Sequence, residues 1–396
     1  MLPRVISLEN GDDPFADLSV AALRRRGTSK WSLYGDNVLP AWVAEMDFPL
    51  AAPIRDALHE AIELGEAGYA PSPAASGVPA ACAAWLARQY GLSVAPHQIR
   101  ILPDVVRGLV LSITTLSRPD SPVVIMTPAY PPFFEAVRMA GRTIIEVPLM
   151  MEEGRATFDL VGIVGALHAG AGTILLCNPH NPLGRVFTRS ELAALAALVE
   201  EQGQDVRVVA DEVHAPLVYP GATHVAYATV SEAAARQSVT LTSASKGWNV
   251  PGLKCAQIVL TNEADGEWWD RLSFLATYGV SPLGMLANRV AFEQGEPWLN
   301  EVVAYLDGNR DLLARLLGEK LPQVQYAAPE GTYLAWLDCR ALDLADPAAF
   351  FLERAKVALS DGAAFGSPGQ GHVRLNFATS RAILTDIIEA MADTVA

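Results

Sequence analysis

Three short stretches of this 396-residue chain place polar groups directly after apolar runs. TILLC runs into Asn178-Pro179-His180-Asn181-Pro182-Leu183-Gly184, VRVVA ends in Asp211-Glu212-Val213-His214, and VTLT ends in Ser243-Ala244-Ser245-Lys246. In open α/β sheets, ligands bind outside the carboxyl ends of the strands. Such a rim would gather an amide, a carboxylate and an amine flanked by two hydroxyls, with Ser243 and Ser245 reading as a hydroxyl-lined anion pocket. Each stretch alone has a bland reading. Asn-Pro pairs form turns, a strand-terminal Asp commonly caps the next element, and a lone Lys after a strand is usually a solvated tip. Three coincidences on one edge are hard to ascribe to packing, and the WNVPGLK segment that follows Lys246 is apolar rather than solvated in character.

Three specific chemistries compete for these residues. Ser243-x-x-Lys246 matches the acyl-serine hydrolase motif, but no Ser-Asp-Asn or Lys-Thr-Gly element accompanies it. Asp211, Glu212 and His214 resemble metal ligands, yet strand alternation sends Asp211 and Glu212 to opposite faces. The glycines of HAGAGT precede a strand rather than a helix, so a dinucleotide fingerprint fails.

The elements that must position these groups are legible around them. From about 98 to 260, the runs IRIL, PVVIM, TIIEV, TILLC, VRVVA, VTLT and AQIVL alternate with helical patterns. Unbroken apolar runs predict strands buried on both faces. In 188–201, Thr188 and Glu191 form a capping box ahead of the stripe Leu192, Leu195, Leu198 and Val199. The alternation predicts an α/β layered domain with a mostly parallel seven-stranded sheet. Near 285 the character changes to a long helix (297–319), TYLAWLDC, another helix, HVRLNF and a final helix (380–395), predicting a smaller α+β domain. The expected division is an N-terminal segment 1–45 packing with the small domain and the site, a large domain 46–285 and a small domain 286–396.

Composition narrows the partners. The chain is 51% hydrophobic and 18% charged, with a formal net charge of −15. That balance argues against a nucleic-acid backbone, since phosphate neutralisation needs clustered Lys and Arg; Arg24-Arg25-Arg26 is too short a run to reverse it. Cys82, Cys177, Cys255 and Cys339 form no CxxC pair, and no HExxH occurs, so neither a disulfide framework nor a metal is expected. No apolar run reaches the roughly 18 residues of a membrane span, and the N-terminus lacks the plan of a secretory signal. A cytoplasmic protein is expected.

NPHNPLGRVF, VVADEVHAPLVY, TSASKGWNVPGLK and HVRLNFATSR, taken in order, resemble the motifs of the class I/II aminotransferase fold, the fold-type I pyridoxal-phosphate enzymes. PAWVAEMDFPLAAPI, GYAP, TPAYPPFFEAV and EGTYLAWLD are similar to those of the cystathionine β-lyase, or cysteine-S-conjugate β-lyase, branch. The resemblance runs from about Lys30 to the C-terminus. It implies pyridoxal 5'-phosphate as cofactor, carried by Lys246 as a Schiff base, with the freed amine later moving the Cα proton. Asp211 would pair with the pyridine nitrogen, Asn181 would bond the ring oxygen with His214 in support, and Tyr130 would stack on the ring. Ser243, Ser245, Lys254 and the backbone N–H groups of Val105 and Val106 would hold the phosphate. Tyr69 would reach the phosphate of a neighbouring subunit in a homodimer. Arg374 would clamp the substrate carboxylate, with Trp42 and Phe48 lining the side-chain pocket.

The sequence departs from the family pattern at three places. Asp104 stands where relatives often have Gly, a carboxylate tolerable beside a phosphate only if it caps the helix and points away. Lys254 stands where many aminotransferases have Arg, and Gly247-Trp248 replaces Thr-Phe. The branch implies β-elimination from cysteine S-conjugates. The rivals are a broad-specificity aminotransferase using the same residues, and a regulatory protein-binding role for which no surface is marked.

Overall fold

The computed structural model describes Phe15 and residues 18–152, 154–203 and 205–395, so most of the expected segment before 18 lies outside the described residues. All seven apolar runs become strands of one sheet: β1 (Ile99–Leu102), β2 (Val123–Thr127), β3 (Ile144–Pro148), β4 (Thr173–Cys177), β5 (Arg207–Asp211), β6 (Ser238–Thr242) and β7 (Ala256–Val259). Their order across the sheet is β1-β7-β6-β5-β4-β2-β3. Only β7 runs antiparallel to its neighbours.

Helices α1 (Val105–Thr115), α2 (Pro131–Met139), α3 (Leu160–His168) and α4 (Arg189–Glu201) cover this sheet. Successive strand residues point to opposite faces, and two separate cores result. Val123, Ile125, Leu175 and Val209 pack with Leu109 of α1 and Phe133 of α2. Val124, Ile174, Leu176 and Val208 pack with Ile163 of α3 and Leu195 of α4. Each such side chain contributes about 1.5–3 kcal/mol on burial, so central strands with no polar face are strongly held. α4 begins at the expected box, with Thr188 accepting from Glu191 N–H and the Glu191 carboxylate accepting from Thr188 N–H.

One strand departs from the expectation of burial on both faces. β3 is half exposed because it is the sheet's edge; its Glu146 accepts a hydrogen bond from Ser367 N–H instead.

Beyond β7 come α5 (Pro282–Gln294), α6 (Glu296–Lys320), β8 (Leu334–Asp338), β9 (His372–Asn376) and α7 (Arg381–Ala392). β8 and β9 form the centre of a four-stranded antiparallel sheet, with Gln325–Tyr326 and Ser360–Asp361 at its edges. Leu306 and Leu313 of α6 pack in one core with Leu334, Leu375 and Ile387. This is the smaller α+β unit that the sequence predicts. The change of character at 285 falls inside α5, which packs on the helices Ala52–Glu63 and Val78–Tyr90 of the first unit. The chain turns away at Gly295, where an added Cβ would stand 2.3 Å from Trp248 Nε1.

The N-terminal segment crosses between the units. Leu39–Pro40 pairs in parallel with Val357–Ala358. Phe48 is buried, stacks on Phe15 with ring centroids 4.3 Å apart and meets Tyr305 edge-on. The expectation that Phe48 lines a substrate pocket is therefore corrected: its ring belongs to the core. Among the described residues no helix is long and apolar enough to cross a membrane.

Candidate active site

The loop after β4 gives its two asparagines different tasks. Asn178 Oδ1 accepts from Phe187 N–H at 3.1 Å, which closes the loop on itself, and Nδ2 donates to Val225 O at 3.4 Å, which ties it to the chain beyond β5. Asn181 instead faces a cavity. Gly184 has φ +64°, and an added Cβ would lie 2.2 Å from Pro329 Cβ, so only glycine lets this loop meet the 329–331 turn of the second unit.

β5 separates its two acids as strand alternation requires. Asp211 shares a register position with Cys177 and lines the cavity with it. Glu212 points away, accepts from Tyr227 N–H at 2.8 Å and lies 3.1 Å from His224 Nε2. The set expected to fail as a metal site is thus divided between two places, and the described residues contain no cluster of three ligating side chains.

After β6, Ser243 caps the single turn Ala244–Gly247. Its hydroxyl accepts from Ser245 N–H at 3.0 Å and donates to Cys255 O at 2.7 Å. Asn288 of α5 receives Ala244 N–H at 3.1 Å, so the turn carrying Lys246 is clamped from both sides. The Ser243 proton is committed to the Cys255 carbonyl, which leaves this residue shaping the turn rather than presenting an open donor.

These strand ends surround a cavity of about 210 Å³. Val105, Val106, Tyr130, Asn181, Asp211, His214, Ser243, Ser245, Lys246 and Lys254 all line it, together with Asp104. Tyr69, Trp42 and Arg374 stand outside that lining. Tyr69 is 93% exposed. Arg374 reaches the cavity wall indirectly, donating from Nη1 to Asn181 Oδ1 at 3.0 Å. Its Nη2 donates to Trp42 O at 2.8 Å and Ser360 Oγ at 3.1 Å, while Nε is buried with no partner among the described residues. Trp42 enters this network through its backbone carbonyl. Its indole donates to Lys30 O at 3.4 Å and meets Tyr34 edge-on.

Burial sets the electrostatics. It pushes the Asp211 carboxyl up to about 7, against the Val213 N–H bond and the Lys246 charge, with Glu212 adding to the rise. Burial pulls the Lys246 amine down to about 8, helped by Arg374 and opposed by Asp211 and Glu45. It also drives His214 well below the usual imidazole range, keeping it neutral, and lowers Arg374 to about 10. An acid and an amine displaced toward neutrality in one cavity are the pattern of a site built for proton transfer.

One part of the site carries no motif of side-chain chemistry. Residues 42–46 form a strap whose carbonyls are received by side chains from both units. Ala44 O accepts from Lys246 Nζ at 2.8 Å and from the Tyr333 hydroxyl at 3.0 Å. Val43 O and Glu45 O accept from Asn376 Nδ2, and Met46 exchanges two bonds with Asn249. Tyr333 sits in the EGTYLAWLD segment, the one sequence signal that could have pointed to it.

The cavity also fits an aromatic phosphate ester. Among the described residues, the hydrogen bond that the Asp211 carboxylate receives comes from Val213 N–H at 3.2 Å, so a protonated ring nitrogen would supply the cation it lacks. Lys246 offers an amine near neutrality. The start of α1 and Lys254 offer N–H groups and a positive charge at one wall.

A large α/β unit with a site on its strand ends, joined to a small α+β unit by a strap, defines the class. Residues 44–391 match the profile of the family described as aminotransferase class I and II, and the chain belongs to this family. It is 42% identical to a cystathionine beta-lyase of Corynebacterium glutamicum over 93% of this chain and 97% of that one. A solved structure from Corynebacterium diphtheriae, assigned as a PLP-dependent beta-cystathionase, superposes with TM-score 0.91 at 42% identity, covering 96% and 98% of the two chains. The PLP-bound C-S lyase of Staphylococcus hominis superposes with TM-score 0.87 at 27% identity over 94% and 96%.

Proposed function

We propose that this chain is a pyridoxal-phosphate-dependent carbon–sulfur β-lyase that cleaves cystathionine or related cysteine S-conjugates to a thiol, pyruvate and ammonia. The observation that carries the cofactor is Asp211, a buried carboxylate facing Lys246's cavity with no hydrogen-bonded cation among the described residues. The choice of reaction is supported by the likeness to cystathionine beta-lyase along almost the whole chain.

When bound, the cofactor supplies an electron sink for the carbanion formed at the substrate's Cα. The rest is done by this chain. Lys246 anchors the cofactor aldehyde and then, as a free amine titrating near 8, takes the Cα proton. Asp211 would hold a proton on the ring nitrogen. Asn181, oriented by Arg374, would bond the ring oxygen, with neutral His214 in support and Tyr130 as the residue to stack on the ring. Ser245, Lys254 and the N–H groups of Val105 and Val106 hold the phosphate, with Ser243 fixing the turn beneath. Arg374 binds the substrate α-carboxylate through Nε, which has no partner among the described residues, and through Nη2, now bonded to Trp42 O and Ser360 Oγ. Loss of the thiolate from Cβ leaves aminoacrylate, and hydrolysis of its imine tautomer by water gives pyruvate and ammonia.

Around this chemistry the chain divides into an N-terminal segment to about 45, a large domain ending with α5 and a small domain from Gly295. It acts as a homodimer in which the exposed Tyr69 serves the partner's site. The buried, free cysteines fit a reducing cytoplasm.

The deciding assay supplies cystathionine with no keto-acid acceptor. Pyruvate and homocysteine are expected to accumulate together; strict dependence on 2-oxoglutarate would assign an aminotransferase instead. Arg374→Ala is expected to lower kcat/KM on the order of 100-fold, mainly through KM, since it removes a charged, multidentate contact worth a few kcal/mol. An unchanged KM would take Arg374 out of the site.

A further inference from the structure

We infer that Asp104 is a counter-charge built into the phosphate wall of the cavity, where it weakens the hold on the cofactor. The inference rests on the cofactor reading above and concerns a residue to which that reading gives no role.

Asp104 is the N-cap of α1. Its Oδ1 accepts from Arg107 N–H at 2.8 Å, which satisfies one of the unpaired donors at the start of the helix. Neutral Asn and Ser cap helices as well as Asp does, so the cap does not require a charge, although the dipole at the start of α1 favours one. The second oxygen, Oδ2, lies 2.8 Å from Lys254 Nζ. Partial burial opposes ionisation of Asp104, but the Lys254 hydrogen bond, the Arg107 N–H and the two cations outweigh it and hold the carboxyl below its usual range. The charge is therefore present at neutral pH.

Lys254 is the side-chain cation lining the cavity on this wall, and its backbone is fixed. It stands at φ +50°, and its carbonyl accepts from Ser281 N–H at 3.1 Å. A phosphate oxygen taking a charge-assisted bond of about 2.8 Å from Nζ comes within about 5.6 Å of Asp104 Oδ2. The neighbouring guanidinium of Arg107, held by its Nε bond to Ala276 O at 2.7 Å, keeps its charge and offsets only part of this repulsion. The Asp104–Lys254 pair is neutral as a unit, so a phosphate dianion is held by the N–H groups and dipole of α1 and the Ser245 hydroxyl. It meets a like charge beyond the lysine. The pair is about half exposed, with side-chain exposures of 37% and 55%, so solvent screens this repulsion without abolishing it.

The test compares the full-length holoenzyme with Asp104→Asn and Asp104→Ser, which keep a capping side chain and remove the charge. Equilibrium dialysis against pyridoxal 5'-phosphate is expected to give Kd values about tenfold lower in both variants, equivalent to about 1.4 kcal/mol. Release on dilution should be correspondingly slower. Affinity for pyridoxal, which has no phosphate, should be nearly unchanged. Lys254→Ala should weaken cofactor binding more in the wild-type background, where it leaves Asp104 unpaired beside the phosphate, than in the Asp104→Asn background. Equal or weaker binding by the Asp104 variants, or an equal gain for pyridoxal, would overturn the role of Asp104 while leaving the cofactor in place. Wild-type protein that takes up no pyridoxal 5'-phosphate would overturn the cofactor reading and this inference with it.

Discussion

Lys246→Ala is expected to yield a folded, colourless protein whose turnover falls on the order of 10⁴-fold or more, the upper end of what loss of a positioned acid–base group does. Two functions are lost together. The amine is the anchor for the cofactor aldehyde, and its lowered pKa of about 8 makes it the group able to move the Cα proton near neutral pH. The fold should tolerate the change. Ala44 O retains the Tyr333 hydroxyl as a donor, and the turn Ala244–Gly247 is held by Ser243 and Asn288, not by the lysine side chain. Absorbance of the purified variant and its rate with cystathionine check this. Normal turnover would remove the cofactor reading altogether, and a yellow variant without turnover would confine Lys246 to proton transfer.

Asp211→Asn should separate stability from activity. Turnover is expected to drop on the order of 10²–10³-fold, the scale of losing one preorganised charge at a reacting system, because a neutral amide no longer keeps the ring nitrogen protonated. The cofactor-free protein, in contrast, should become more stable. The Asp211 carboxyl titrates near 7 in the folded chain against 3.8 in its ordinary state. The folded chain therefore binds the extra proton between those values. Its stabilising share is complete below about pH 4 and is lost as pH rises to 7. Ionised Asp211 then costs a few kcal/mol at neutral pH, at about 1.4 kcal/mol per pKa unit. The asparagine has no such loss. The difference in Tm between the two cofactor-free proteins should open from pH 4 to 7 and stay level above. A variant less stable than wild type at pH 7.5 would show that Asp211 is a structural acid.

The large sheet was legible because strands covered on both faces leave unbroken apolar runs, and Val124 and Ile125 face different cores without a polar residue between them. The edge position of β3 was not, since an apolar run does not say how many neighbours a strand has. Phe48 was misread for a related reason. An aromatic residue packs as readily in a core as in a pocket, and the rings of Phe15 and Tyr305 decide the matter. Ser243 and Asp104 both line the cavity, but which of their atoms are already engaged depends on Cys255 and Lys254.

By itself the sequence determined which groups stand on the rim of the sheet. Asn181, Asp211 and Lys246 each lie within four residues of the strand that presents them, and strand period and turn chemistry are local properties. Only the tertiary structure decided what those groups touch. Lys246 meets Ala44 O across 202 residues, Arg374 meets Asn181 across 193, and Lys254 meets Asp104 across 150. These contacts follow from the order of strands in the sheet and from the strap that joins the two units. In the case of Ala44 the acceptor is a backbone carbonyl, which every residue type carries alike, so no choice of amino acid at that position could announce it.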